Sequence, residues 1–154
     1  MTHPIIKPAT SDDIADLRTV VEQTELFPSE MLPDLLAASL AGDGQALLLT
    51  CHMDEAAVGL CYAVPEELAD GTWNMRALAV RPDHQGKRLG TALVAAAEQH
   101  LKARGERILI VDTSGTDDFS ITRKFYAKNG YEEEARIRDF WAAGDDKVVF
   151  RKAL

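Results

Sequence analysis

The segment Leu78-Ala-Val-Arg-Pro-Asp-His-Gln-Gly-Lys-Arg-Leu-Gly-Thr91 constrains the fold more than any other stretch of the chain. An apolar run ending at Val80 reads as a strand, which Arg81-Pro82 breaks. A loop carrying Gln85, Gly86, Lys87, Arg88 and Gly90 then enters Thr91-Ala-Leu-Val-Ala-Ala-Ala97, a run of helix formers. Strand, glycine-bearing cationic loop and helix start, in that order, make an anion site. The first N–H groups of a helix lack intrahelical partners, and the macrodipole adds partial positive charge there. Glycine lets the backbone turn and approach a ligand with no Cβ in the way. A plain strand-to-helix turn, with Lys and Arg for solubility, fits the loop alone equally well.

Two phosphate motifs are excluded. A P-loop needs Gly five residues before its Gly-Lys pair, where this chain has Arg81, and Ser or Thr after the Lys, where it has Arg88. A dinucleotide fingerprint needs three glycines, and only Gly86 and Gly90 are present. Charge then separates the remaining readings. With 17 Lys+Arg against 25 Asp+Glu the net charge is −8, which argues against a nucleic-acid or anionic-membrane partner. Yet between Asn74 and Ala97 the only carboxylate is Asp83, beside Arg76, Arg81, Lys87 and Arg88. A local cationic patch on an acidic protein suits a compact phosphorylated ligand.

The 154 residues are one domain's worth of chain, expected as a single domain over 1–154. Cys51 and Cys61 lie in apolar strand-like segments without a Cys-x-x-Cys spacing and read as buried reduced thiols. No metal site is expected. Met1 to Lys7 lacks the apolar stretch of a signal peptide, and no apolar run approaches a membrane span, so a cytoplasmic protein is expected.

The chain reads as β-α-α-β-β-β-α-β-α-β-β. Pro4 to Pro8 forms a first strand. Ser11-Asp-Asp caps a helix with Ile14, Leu17, Val20 and Val21 on one face. Ser29 caps a second helix that turns Leu32, Leu35, Leu36 and Leu40 inward. Strands are expected at Gln45 to His52, Ala56 to Val64 and Thr72 to Val80, the first two as a hairpin around Met53-Asp-Glu55. Leu89, Leu93, Ala97 and Leu101 line a helix running to about Arg104. Arg107 to Asp112 reads as a strand buried on both faces. A helix near Asp118 to Asn129 and strands at Tyr131 to Asp139 and Lys147 to Lys152 complete the chain. The fold class is α/β (α+β): a mixed, mostly antiparallel sheet of about seven strands, with a β-α-β crossover and four helices.

With these elements placed, the chain resembles the GNAT superfamily of acyl-CoA-dependent N-acyltransferases along nearly its whole length. Two motifs carry the resemblance. The family's Q/R-x-x-G-x-G/A segment corresponds to Gln85-Gly-Lys-Arg-Leu-Gly90, preceded by Leu78-Ala-Val-Arg-Pro82. Its Phe-Tyr-x-x-x-Gly-Phe/Tyr segment corresponds to Phe125-Tyr-Ala-Lys-Asn-Gly-Tyr131. Two positions depart from the pattern. Arg88 stands where Gly is most typical, and Phe119 and Thr122 replace the Asn and Ala that often precede the Phe-Tyr pair. The resemblance implies acetyl-CoA as co-substrate, lying in a V between the Thr72–Val80 and Arg107–Asp112 strands. Its pantetheine arm would pair with the Leu78-Ala79-Val80 backbone. Its pyrophosphate would sit on the N–H groups of Gly86, Lys87, Arg88, Leu89, Gly90 and Thr91, next to Gln85.

The implied reaction is attack of a primary amine on the thioester. The amine must lose a proton, the oxyanion needs a donor, and the leaving thiolate needs a proton. The family's usual oxyanion donor falls on the Val80 N–H. Tyr126, a phenol inside the second motif, is the expected acid for the thiolate. The base is left among Asp112 at a strand end, Glu22, Glu25 and Glu30 around the first interhelical loop, and water. His84 has only proximity to recommend it, and His3, His52 and His100 have no constellation around them. Trp73, Phe140 and Trp141 are expected to pack in the core, with walls of the acceptor site as the alternative. The expected partner is a small-molecule or peptide amine, and the family's habits imply a possible homodimer. The net charge leans toward cationic acceptors. A non-catalytic acyl-CoA sensor of the same fold and an unrelated phosphate-binding α/β module are the competing readings.

Overall fold

The structure, a computed structural model, describes residues 3–154. Strand β1 (Ile5–Pro8) leads into a 3-10 turn (Ser11–Asp13) and helix α1 (Ile14–Thr24). The Thr10 N–H donates to Asp13 Oδ2 at 2.8 Å, so Thr10 rather than Ser11 closes this start. A second 3-10 turn (Ser29–Met31) precedes α2 (Leu32–Leu40). Ser29 does not cap α2 as expected; its hydroxyl donates to Glu22 Oε1 at 3.1 Å. Three strands follow, β2 (Leu47–Met53), β3 (Ala56–Pro65) and β4 (Thr72–Val80). Then come α3 (Leu89–Ala103), β5 (Ile108–Ser114), α4 (Ser120–Lys128) and the hairpin β6 (Glu132–Ala142) with β7 (Asp145–Ala153).

The seven strands form one sheet in the order β1-β2-β3-β4-β5-β7-β6. Every neighbouring pair is antiparallel except β4 and β5, joined through α3. That parallel ladder is short: Thr72, Trp73 and Asn74 face Ile108, Leu109 and Ile110. Beyond Asn74 the two strands part. A bulge accompanies the separation, since Tyr62 faces Ala77 while Ala63 faces Met75, leaving Arg76 as an extra residue on β4.

Two apolar layers cover the sheet. On one face Leu89, Leu93, Val94, Ala97 and Leu101 of α3 and Tyr126 of α4 pack on Trp73, Met75, Leu109, Val111 and Phe150. On the other, Leu17, Val20 and Val21 of α1 and Leu32 and Leu36 of α2 pack on Leu48, Leu60, Ala77 and Ala79. Two sequence expectations fail here. Leu40 ends α2 exposed, because the helix stops as its apolar stripe rotates off the sheet. β5 is not buried on both faces: Leu109 and Val111 are buried but Ile108, Ile110 and Asp112 are only half-buried, because α1 and α2 pack on β2 to β4. The half-covered face of β5 carries Asp112.

Candidate active site

The V between β4 and β5 is built from backbone. The Arg81 N–H donates to Val58 O at 2.8 Å, which fixes the alternation of the antiparallel β3–β4 ladder. Ala77 and Ala79 therefore direct their N–H and C=O groups to β3, and Leu78 and Val80 direct theirs into the V. The Val80 carbonyl is met on that side by the Gln85 side chain, Nε2 to O 3.0 Å. Ala79 adds only a methyl to the opposite core.

The loop at the end of β4 has the form of a cradle. Gly86 (φ +81°) and Arg88 (φ +62°) are both left-handed, and a Cβ on Gly86 would meet nothing within 4 Å. No side chain caps α3, and its first turn holds no acidic residue. The first N–H groups of α3, with those of Gly86 to Arg88 beside them, thus lie ready for an outside anion. Lys87, Arg88 and Thr91 are exposed at this end, whereas Leu89 is buried in the core. The lone carboxylate of the patch is taken up by Arg81 and His84 and leaves Lys87 and Arg88 without an ion pair among the described residues. Asp83 binds His84 Nδ1 (2.9 Å) and Arg81 (2.7 Å), and these bonds, with His84 first, hold its carboxyl below the usual range. His84 is thereby tied into the turn. Gly90 has a second reason to be glycine: a Cβ there would stand 3.3 Å from the Phe125 ring of α4.

Tyr126 is buried, its ring against Phe125, Tyr131 and Phe150 at centroid distances of 5.3, 5.9 and 5.7 Å. The apolar cluster that holds it includes Val111 of β5 and is packed by Leu78 and Val80 of β4, so it touches both arms of the V. Burial, with a smaller push from Cys61, raises its phenol well above the ordinary tyrosine range. The hydroxyl stays protonated at neutral pH and can only give its proton to a stronger base. Cys51 and Cys61 are free and buried, and burial pushes the Cys61 thiol up to about 12.

The half-covered face of β5 carries a polar network. Asn74 Nδ2 donates to Glu66 Oε1 at 2.8 Å and to Asp112 Oδ2 at 3.2 Å. Lys147 Nζ stands 3.5 Å from Asp112 Oδ2 and 4.5 Å over the Phe140 ring. Asp112 Oδ1 is buried without a hydrogen-bond partner among the described residues. Of the four carboxylates considered from sequence, Asp112 is the one set at the mouth of the V. Glu22 is engaged by Ser29, and Glu25 and Glu30 are exposed at the end of α1 and in the following 3-10 turn. Phe140 and Trp141 are exposed, and Trp141 Nε1 donates to Thr113 O at 3.2 Å, beside Asp112. Trp73 is core, with its indole N–H on Glu106 and the Arg104 guanidinium over its ring. The other histidines are elsewhere: His3 is exposed, His52 faces Asp13 at 3.0 Å, and His100 bonds the Ala96 carbonyl. Asn74, Glu66 and Lys147 escaped sequence reasoning. The one available signal was Asn74 itself, a buried amide in the strand that leads into the loop.

Among the described residues no cluster of His, Cys, Asp or Glu is placed to hold a metal ion, and no helix is long and apolar enough to cross a membrane. The sequence profile of the acetyltransferase (GNAT) domain matches residues 44–133, more than half of the chain. This chain belongs to the GNAT acetyltransferase family. The matched region runs from just before β2 to the start of β6, so it contains both arms of the V and the cradle. No curated protein matches the sequence. Solved structures do. A GNAT-family protein from Desulfovibrio desulfuricans superposes with a TM-score of 0.89 at 27% identity, over 98% of this chain and 99% of that one. A PaiA N-acetyltransferase from Thermoplasma acidophilum, crystallised with coenzyme A, gives 0.79 at 18% identity over 99% of each chain. The ribosomal-protein-S18-alanine N-acetyltransferase of Escherichia coli gives 0.80 at 15% identity, over 98% and 94%. The mixed seven-stranded sheet with four helices is thus the GNAT fold.

Proposed function

We propose that this GNAT protein transfers the acetyl group of acetyl-CoA directly to a primary amine. One observation carries the reading. A cleft-facing edge of β4 ends at an uncapped helix start that holds no carboxylate, beside a buried protonated tyrosine. A polyanion with an amide-bearing arm fits both parts. The N–H groups of Gly86 to Thr91 receive the pyrophosphate, with Lys87 and Arg88 adding charge. The free groups of Leu78 and Val80 pair with the pantetheine amides, and Gln85 must release the Val80 carbonyl for that pairing.

The steps are the reading these groups support. Asp112 Oδ1, an acceptor with no partner, takes the proton of the incoming ammonium. The amine nitrogen then attacks the thioester carbon, and an N–H of the β4 edge, Val80 or Leu78, holds the oxyanion. As the C–S bond breaks, Tyr126 gives its proton to the thiolate, the nitrogen sheds its second proton to solvent to leave the neutral amide, and Tyr126 and Asp112 return to their starting protonation by exchange with solvent. The acceptor is a small molecule or a peptide. The test is thiol release from acetyl-CoA over an amine panel, with the acetylated amine identified by mass. Amine-dependent release that Asp112→Asn and Tyr126→Phe each suppress supports the assignment. Tight acetyl-CoA binding with no amine-dependent release would favour a non-catalytic binder instead.

A further inference from the structure

On the α1–α2 side of the sheet lies a cavity of about 460 Å³ lined by Gln45, Val64, Pro65, Glu66, Glu67 and Arg76. That volume is within the range of small-ligand sites, roughly 300–1,000 Å³. The cavity contains both signs of charge, yet they do not neutralise each other: no ion pair within 4.0 Å involves Arg76, Glu66 or Glu67 among the described residues. Arg76 follows Met75 of the α3 face and so turns to the opposite side, where the bulge also sets Ala77. Glu66 is held by Asn74, whose other amide hydrogen reaches Asp112. The cavity is therefore two hydrogen bonds from the carboxylate with the free buried oxygen. Arg76 is also two residues from Leu78, whose N–H faces the V.

We propose that this cavity binds the zwitterionic head of the acceptor, which is an amino acid whose side chain ends in a primary amine. The carboxylate of the head pairs with the Arg76 guanidinium, and its α-ammonium with Glu66 and Glu67. The side chain then carries its terminal amine toward Asp112 and the V. This deepens the acetyl-transfer reading and rests on it. It also reverses the lean given by the net charge of −8, which alone points to purely cationic amines. The two carboxylates accept an ammonium from either kind of amine, but only a carboxylate-bearing acceptor also pairs with the Arg76 guanidinium.

Matched substrates test the proposal directly. Lysine and cadaverine, or ornithine and putrescine, differ only in the carboxylate, and Nα-acetyl-lysine amide keeps the side chain but lacks the zwitterion. In thiol-release kinetics the wild type should favour each amino acid over its decarboxylated partner, and lysine over the blocked lysine, by about 10-fold or more in kcat/KM. Arg76→Gln should collapse the lysine-over-cadaverine ratio to within about twofold, chiefly by raising KM for lysine. Glu67→Gln should weaken lysine against a lysine analogue lacking the α-amine. Both are exposed positions, and circular dichroism checks that each variant is folded. Equal or faster turnover of the diamines or of the blocked lysine, or a lysine KM unmoved by Arg76→Gln, overturns the zwitterion site while leaving acetyl transfer intact. Thiol release with no amine at all overturns both.

Discussion

Arg88 holds φ +62° at the start of α3, in a backbone region that costs a residue with a Cβ about 1–2 kcal/mol. The conformation explains why glycine is typical at this position and what arginine brings instead, a cation at the mouth of the cradle. Arg88→Gly should raise the stability of the folded protein by about 1 kcal/mol, read as a higher urea midpoint at constant slope. An unchanged or lower midpoint would mean that the Arg88 side chain contributes as much as its backbone costs. Tyr126 makes a second prediction. Tyr126→Phe should lower kcat by about 100-fold or more while leaving acetyl-CoA affinity nearly unchanged. Because burial raises the phenol, Tyr126 keeps its proton through pH 10, so it adds no descending limb to the wild-type profile below that pH. A limb below pH 10 that vanishes in Tyr126→Phe would contradict this.

Contacts between elements explain what was legible in the sequence and what was not. The bounds of β4 were readable because Gly71 and Pro82 flank an apolar run. The cradle was readable because strand, loop and helix are contiguous. Side-chain exposure at element ends was not, as Leu40 shows, because it depends on where a neighbouring element stops. Nor was the Glu66–Asn74–Asp112 network, whose Asn74–Asp112 bond spans 38 residues. The Arg76 bulge was hidden for the same reason, being a mismatch between two strands rather than a property of either. Phe140 and Trp141 are expected in the core ahead of the site, and both are exposed instead because β6 is an edge strand with every residue exposed. The α3–α4 contact gives a prediction at this scale. Gly90→Val should destabilise the fold by about 1–3 kcal/mol by driving into Phe125, seen as a lower melting temperature. A variant with unchanged stability would show that α4 gives way freely.

The whole molecule combines a one-sheet core with a cleft opened by the parting of β4 and β5. Its buried thiol links stability to pH. Cys61 ionises near 9.0 when unfolded, but burial pushes it up to about 12 in the folded state. Below pH 9 both states hold the proton and this group is neutral toward stability. Above pH 9 the unfolded chain loses the proton first, so stability should fall by up to about 1.4 kcal/mol per pH unit as pH rises toward 12. Urea unfolding at pH 8 and pH 10 checks this, with Cys61→Ala predicted to show the shallower loss; equal losses would contradict it. The central claim is that the free edge of β4 and the start of α3 together receive acetyl-CoA. Residue-resolved amide hydrogen exchange, with and without acetyl-CoA, tests it most directly. The Leu78 and Val80 amides should exchange faster than Ala77 and Ala79 in the free protein. On binding, Leu78, Val80 and the Gly86 to Thr91 amides should become protected together. Binding that leaves these amides unprotected, or protects a different face of the sheet, would contradict the account.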